Sequence, residues 1–283
     1  MIPNAFDYVR PTTLQAAIAA LAQHGDAARP MAGGHSLLPM MKLRLAGPEV
    51  LIDINELSEL HGISIGADEV TIGAATTHAT LEHHPALAEA LPLIPRVAQQ
   101  IADPAVRNRG TLGGSLAHAD PSADWPAAML ALDARIDVAG AAGSRSIAAA
   151  DFFEGLFATA LRPGELIVAV RIPVLRGVRV AYRKFRHPAS GYAVVGVAVV
   201  LRFERGTCSG GRIAVTGLAD RPFRARRAEA LLDGFAGQAD RAARLLELAF
   251  ADATPLGDRF ADPEYRLQLG RTMLRRALAD ALG

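Results

Sequence analysis

Two short segments, each with a pair of adjacent glycines beside hydroxyl residues, constrain this chain more than any other feature of its sequence. The first glycine segment is AGGHS, residues 32–36, and the second glycine segment is TLGGS, residues 111–115. Each is expected to close a β-strand. Adjacent glycines leave the backbone N–H groups open, so several of them can converge on one anion. Two such segments that face each other predict a site for a diphosphate group.

A structural interpretation of the same segments stays open at this point. Most glycine pairs form turns, and two structural turns explain the pattern as well as a phosphate site does. The hydroxyls of Ser36, Thr111 and Ser115 can donate to phosphate oxygens. The N–H groups of Gly34 and Gly114 can do the same. The hydroxyl residues beside both glycine pairs are the observation that favours an anion site.

Composition excludes several classes of partner. The chain has 283 residues, of which 51% are hydrophobic, and its net charge is +1. This length suits two domains or one large one. The balanced charge, with no basic tail, argues against nucleic acid as a partner. The longest apolar run, residues 193–201, is too short to span a membrane. The N-terminal residues lack the pattern of a secretory signal, so a soluble cytoplasmic protein is expected.

The few residues able to bind metals or perform acid–base chemistry have simpler explanations. Cys208 is the one cysteine, so the chain forms no internal disulfide and cannot hold an iron–sulfur cluster. His118, Asp120 and Asp124 could bind a metal or transfer protons. However, the first aspartate precedes a proline, which is typical of a turn, and the second is placed to cap a helix. No metal site and no catalytic residue is predicted.

The order of predicted elements indicates an α+β protein in two parts. In the first part, short strands and short helices follow one another, but the strict strand–helix alternation of a Rossmann sheet is weak. Residues 173–178 are predicted to form a linker. Three consecutive strands are expected after it, at residues 180–185, 194–203 and 212–216. Two or three amphipathic helices follow, and strands grouped before helices are typical of an α+β domain.

Three longer motifs extend the glycine pairs and point to a family. They cover residues 32–39, 73–78 and 107–121. Together they resemble the FAD-binding medium subunit of molybdenum hydroxylases, the family of carbon monoxide dehydrogenase and xanthine dehydrogenase, over nearly the whole chain. The resemblance implies a vanillyl-alcohol-oxidase-type (PCMH-type) FAD-binding fold of two α+β subdomains in residues 1–176. It also implies a C-terminal domain of three antiparallel strands and a helical bundle in residues 177–283.

The resemblance further implies which residues contact FAD. The two glycine segments would hold the pyrophosphate, and Lys184 would lie near the flavin head. From the residues alone, Lys184 is explained as an outward-facing strand residue in water, and Tyr192 covers a flavin ring or packs in a core. The resemblance reverses the first interpretation and implies that Tyr192 lies over the flavin ring. The predicted FAD-binding residues are Ala32, Gly33, Gly34, His35, Ser36, Leu37, Thr111, Gly113, Gly114, Ser115, Ala117, His118, Asp124, Leu161, Lys184 and Tyr192.

The function implied by the resemblance is electron transfer within a heterotrimer. A large subunit would carry the molybdopterin cofactor, and a small subunit would carry [2Fe-2S] clusters. Electrons would pass from these clusters to FAD on this chain, and then to an external acceptor such as quinone, oxygen or NAD. A dimer of heterotrimers is expected. Two alternatives stay open: a self-sufficient flavin-dependent oxidase of the same fold, or a non-catalytic assembly module that has lost FAD.

Overall fold

The N-terminal lobe is built on a small parallel sheet. The computed structural model of the chain describes residues 2–283. Helix α1 (Leu14–His24) begins after Thr13, whose side chain accepts a hydrogen bond from the backbone N–H of Ala16, and ends at Gly25 with φ +53°. The strands are β1 (Asp7–Val9), β2 (Ala28–Met31) and β3 (Val50–Asp53), in the order β1-β3-β2, and helix α2 (Leu37–Lys42) follows the first glycine segment.

A second lobe is organised around a five-stranded antiparallel sheet. Its order is β4-β5-β10-β6-β7, with β4 (Ile63–Ile65), β5 (Glu69–Gly73), β6 (Arg135–Gly140), β7 (Gly143–Ala148) and β10 (Leu166–Pro173). A two-stranded hairpin, β8 (Phe153–Gly155) and β9 (Ala158–Thr159), precedes β10. Buried Val70 and Ile72 alternate with less buried residues along β5, so one face of this strand enters the core.

Six short helices accompany the second sheet because prolines repeatedly end or begin helical segments. They are α3 (His78–His83), α4 (Pro85–Ala90), α5 (Leu93–Ala98), α6 (Pro104–Arg107), α7 (Leu112–His118) and α8 (Trp125–Leu132). Pro85 opens α4, and Pro92 immediately precedes α5. The sequence predicts a helical stretch from Thr77 to Gln100 that is broken at Pro85, Pro92 and Pro95. Pro95 instead lies in the first turn of α5, where a missing N–H costs little, so it does not break this helix.

The C-terminal part is a four-stranded antiparallel sheet with helices on one side. The strands β11 (Val178–Arg186), β12 (Ala193–Glu204), β13 (Thr207–Thr216) and β14 (Phe223–Arg224) lie side by side in that order. Three helices follow: α9 (Arg226–Glu229), α10 (Ala239–Leu248) and α11 (Pro263–Leu282). The three long strands are those that the sequence predicts, although β13 begins at Thr207 and not at residue 212. The fourth strand has two residues, too few to give a sequence pattern.

Both faces of the C-terminal sheet are covered, which explains the long apolar run in β12. Residues 193–201 are all buried. On one face, Tyr182 and Ala198 share a hydrophobic cluster with Trp125 of α8. On the other face, Val197 and Leu274 belong to a separate cluster shared with the C-terminal helices. The sheet is therefore a wall common to the second lobe and the helical layer.

The described residues contain neither a membrane-spanning helix nor a cluster of metal-binding side chains. Among the helices of residues 2–283, none combines the length and apolar composition that crossing a bilayer requires. The same residues include no group of three or more His, Cys, Asp or Glu side chains arranged to hold a metal ion. The α+β class predicted from the sequence is confirmed by the mixed sheets and helices of all three parts.

Candidate functional site

A deep cleft opens where the two lobes and the C-terminal sheet meet. Its volume is approximately 580 Å³, within the range of roughly 300–1,000 Å³ that is usual for cofactor sites. Its walls include the first glycine segment, the start of α7, Phe157 in the turn of the hairpin β8–β9 and the loop at residues 190–192. Every predicted FAD-binding residue except Lys184 lines this cleft.

The first glycine segment presents a run of backbone donors. Within the part of the chain that the structure describes, the N–H groups of residues 33–37 form no hydrogen bond with the protein. Gly34 has φ +71°, a left-handed conformation that a glycine adopts without strain. A left-handed residue within such a run turns successive N–H groups toward a common point, which forms an anion-binding nest. We call these five N–H groups the nest.

The carbonyl groups of the same segment are held by other partners. The Gly33 carbonyl accepts a hydrogen bond from Nδ1 of His35 at 2.8 Å. The Gly34 carbonyl accepts one from the N–H of Leu38 at 3.0 Å. In a trans peptide the C=O and the next N–H point in opposite directions, so fixing a carbonyl also fixes the following donor. The nest is therefore held in shape by the chain itself.

The second glycine segment has a different structure from the first. It is the first turn of α7, with Thr111 as its N-cap, and Oγ1 of Thr111 accepts from the N–H of Gly114 at 3.1 Å. The N–H of Gly113 donates to the Ala74 carbonyl at 2.8 Å. The expectation of an open loop with free N–H groups after a strand is wrong here, because helix capping uses these donors. The hydroxyl-bearing residues Thr111 and Ser115 still line the cleft.

Glycine is also required by the close approach of neighbouring segments. A Cβ at Gly33 would lie 2.0 Å from the Arg109 carbonyl oxygen, and a Cβ at Gly113 would lie 2.6 Å from Cβ of Ala74. The first glycine segment therefore packs directly on the residues that precede the second. The structural and the anion-binding interpretations of the glycines hold together at Gly33, since the same residue permits close packing and carries a free N–H.

A buried ionic network lies beside the cleft. Nζ of Lys184 donates to the Asp124 carboxylate at 2.9 Å and to the Gly191 carbonyl at 3.0 Å, and the Tyr182 hydroxyl donates to the other carboxylate oxygen. The Lys184 side chain is 1% exposed, so the prediction of a solvated strand residue is wrong. Asp124 forms no side-chain cap on α8, because its carboxylate is used in this network.

Burial sets the protonation of this network. It raises the pKa of Asp124, while Lys184 beside it acts in the opposite direction. Burial also lowers the pKa of Lys184, again opposed by its partner. Burial, followed by the nearby carboxylate, raises the pKa of Tyr182 well above its usual value, so its hydroxyl stays a donor. Asp124 and Gly191 line the cleft and Lys184 does not, so the lysine contacts the site through these two residues.

Apolar and aromatic side chains form the remaining walls. Leu161 and Tyr192 line the cleft as predicted, and Tyr192 is 39% exposed. Phe157 was not predicted. It sits in the turn of the hairpin β8–β9 with φ +53°, and its ring centroid lies 5.2 Å from that of His118. The cleft thus combines a polar nest with flat apolar surfaces, as a dinucleotide requires.

His78 is a second cleft residue that sequence reasoning missed, although it ends one of the recognised motifs. The side chain is buried, and its Nδ1 accepts a hydrogen bond from Nε1 of Trp125 at 3.1 Å. This bond places the ring proton on Nε2, which lies against Gly110. Burial, with smaller effects of His35 and Arg107, lowers the pKa of His78 to about 4. The imidazole is therefore neutral near pH 7.

We expect this imidazole to make the protein less stable in acid. The unfolded state takes up a proton below pH 6.5, whereas folded His78 does so only near pH 4. Neutral His78 contributes its full stabilisation above pH 6.5. This contribution is lost as pH falls from 6.5 through about 4, and the total loss is at most about 3 kcal/mol. Urea unfolding at several pH values should show a smaller acid loss in His78→Gln. Replacement of the exposed His83 by Gln is the control. If the free energy of unfolding falls with pH as steeply in His78→Gln as in the unchanged chain, His78 is not the group responsible.

Comparison with known proteins decides the family. The domain described as "FAD binding domain in molybdopterin dehydrogenase" matches residues 4–175, and the "CO dehydrogenase flavoprotein C-terminal domain" matches residues 180–281. The chain belongs to this family. The molybdopterin dehydrogenase FAD-binding fold predicted from the sequence is thereby confirmed, as is the oxidoreductase class.

Individual members of the family are similar over their full lengths. The carbon monoxide dehydrogenase medium chain of Afipia carboxidovorans is 42% identical over 99% of this chain and 98% of that protein. The glyceraldehyde dehydrogenase medium chain of Sulfolobus acidocaldarius is 34% identical over 99% of each. The solved carbon monoxide dehydrogenase from Hydrogenophaga pseudoflava superposes with a TM-score of 0.96 at 42% identity, covering 99% of this chain and 98% of that one.

The residues of the cleft fit FAD, the cofactor of this molybdopterin dehydrogenase family. The nest supplies a run of N–H donors without protein partners on the cleft wall, which suits the diphosphate of a dinucleotide. Residues 33–37, which carry these N–H groups, all line the cleft. Aromatic and aliphatic walls suit the ring systems. The cleft therefore has the chemistry that the family membership requires.

Proposed function

We propose that this chain is the FAD-carrying subunit of a heterotrimeric molybdenum hydroxylase. A large subunit would carry the molybdopterin cofactor and hydroxylate the substrate, and a small subunit would carry [2Fe-2S] clusters. The near full-length match to a carbon monoxide dehydrogenase medium chain is the observation that carries this proposal. Bound FAD accepts and releases electrons, so it would connect the clusters with an external acceptor such as quinone, oxygen or NAD.

The residues of this chain would bind and orient the cofactor. The nest would donate to the diphosphate, with the hydroxyls of Thr111 and Ser115 beside it. Leu161, Ala117 and Tyr192 would contact the rest of the cofactor. Lys184 would act through Asp124 and the loop carrying Gly191, rather than by direct contact. Most of the predicted residues would therefore contact FAD directly, and Lys184 would hold two cleft residues in place.

Domain organisation and assembly complete the proposal. Residues 1–176 would form the FAD-binding domain and residues 177–283 the C-terminal domain. The shared cluster containing Tyr182 and Trp125 would make them a single structural unit. We propose a dimer of heterotrimers in the cytoplasm as the working assembly.

Co-expression with the two partner subunits tests the proposal. The purified complex is expected to show a flavin absorbance spectrum with stoichiometric FAD on this chain, and metal analysis should find molybdenum and iron. A complex without flavin absorbance would support the assembly-module alternative. A flavin-containing chain that oxidises substrate without molybdenum or iron would support the self-sufficient oxidase and contradict the proposal.

A further inference from the structure

A side-chain amide behind the first glycine segment holds the peptide from which the nest begins. Nδ2 of Asn55 donates to the Ala32 carbonyl at 2.7 Å, and it also lies 3.4 Å from the Met31 carbonyl. Ala32 is the residue immediately before the run of free N–H groups. Asn55 does not line the cleft, so it reaches the nest from the protein side.

Asn55 is itself held in one orientation. Asp53, at the end of β3, accepts hydrogen bonds from the Asn55 backbone N–H at 2.9 Å and from Nδ2 at 2.7 Å. The Tyr8 hydroxyl donates to the other oxygen of the same carboxylate. All three partners of Nδ2, the Ala32 and Met31 carbonyls and the Asp53 carboxylate, are acceptors, so the NH₂ group and not the amide oxygen must face them. The parallel pairing of β2 with β3, with Met31 opposite Asp53, brings these residues together.

The geometry of the peptide bond connects this amide to the cleft. Holding the Ala32 carbonyl toward Asn55 directs the N–H of Gly33 the other way, because the two groups of a trans peptide are antiparallel. The carbonyl of Gly33 is held in turn by His35, at 2.8 Å. The nest is therefore built as a series of fixed peptides, and Asn55 holds the first of them.

We propose that Asn55, supported by Asp53 and Tyr8, is a positioning residue that keeps the nest ready for a diphosphate before the cofactor arrives. The proposal rests on the proposed function for the identity of the ligand, the diphosphate of FAD. It also requires that the FAD-free chain bind inorganic pyrophosphate, which can contact the nest without the rest of the cofactor.

The test compares binding by the full-length, FAD-free chain and its variants. Dissociation constants for FAD are measured from quenching of flavin fluorescence, and those for inorganic pyrophosphate from competition with FAD. Asn55→Ala is expected to weaken both by about 10-fold, and Asn55→Asp by about 100-fold, because a carboxylate there would face only acceptors. Tyr8→Phe removes only the outer support, so a loss of about 2- to 5-fold is expected.

A matched control and a pH profile separate positioning from general stability. Asn108 also donates its side-chain amide to a backbone carbonyl, that of Pro104, at 2.7 Å, but it lies outside the cleft. Asn108→Asp should therefore bind FAD as the unchanged chain does. Asn55→Asp should regain affinity relative to Asn55→Ala as pH is lowered, since a protonated carboxyl group can donate to the Ala32 carbonyl.

The outcomes distinguish this proposal from the proposed function. Wild-type affinity for FAD in both Asn55 variants would overturn the positioning role, as would weakened FAD binding with unchanged pyrophosphate competition. If an Asn55 variant does not fold, Tyr8→Phe decides, since Tyr8 is exposed and its hydroxyl can be removed alone. Failure of the unchanged chain to bind FAD would instead refute the proposed function.

Discussion

Replacing Lys184 with methionine is expected to lower the free energy of unfolding by about 3–5 kcal/mol, since the buried Asp124 carboxylate then loses its cation. The lysine side chain is 1% exposed and that of its partner 5%. Water cannot take over the role of the ammonium group at such depth. The change should be measured by urea unfolding of the FAD-free chain, as a fall in the midpoint at constant slope.

A second substitution should restore much of this loss. In Asp124→Asn/Lys184→Met no unpaired charge is buried, and the amide oxygen can still accept from Tyr182. Arg183→Met is the control on the same strand, because Arg183 pairs with Asp280 at the surface, where its side chain is 51% exposed. Such surface pairs contribute about 0–1 kcal/mol. Equal losses in Lys184→Met and Arg183→Met would show that the buried pair has no special role.

The Gly33→Ala variant is expected to lose FAD during purification. Its Cβ would lie 2.0 Å from the Arg109 carbonyl oxygen and 2.9 Å from Cα of Gly110, both backbone atoms that cannot rotate away. The first glycine segment must then shift, and the nest loses the alignment of its donors. Overpacking of this kind costs about 1–3 kcal/mol in stability, so the variant should fold while binding fails.

The same substitution at another glycine gives the control. Gly155 has no atom within 4 Å of its would-be Cβ, and it lies outside the cleft. Gly155→Ala should therefore keep FAD in full. The ratio of flavin to protein absorbance in the purified chains measures the result. Equal FAD content in the two variants would refute the role given to the first glycine segment.

The two glycine segments show how far the sequence could predict the site. Both segments line one cleft, as the hydroxyl residues beside each glycine pair suggested, although the glycine pairs alone were explained equally well by structural turns. The helical start of the second segment was missed, although Thr111 directly before Leu112 and Leu116, which are four residues apart, is a helix-start pattern.

Other features depended on contacts between distant residues and had no local signal. Lys184 lies in an alternating strand that suggests exposure, and its burial follows from a sheet covered on both faces. Asn55 contacts a carbonyl 23 residues away, and His78 contacts Trp125 at a separation of 47 residues. A single polar residue with a remote partner leaves no periodicity or motif, so only the folded structure reveals its role.

The double-sided burial of β12 has a consequence for biosynthesis. One wall of the cleft, the loop at residues 190–192, is supplied by the last third of the chain, and α8 has no apolar partner on that side until β12 and β13 have emerged. A nascent chain on the ribosome would therefore hold an incomplete pocket with exposed apolar surface. We expect the flavin to be inserted after translation ends, into the finished subunit.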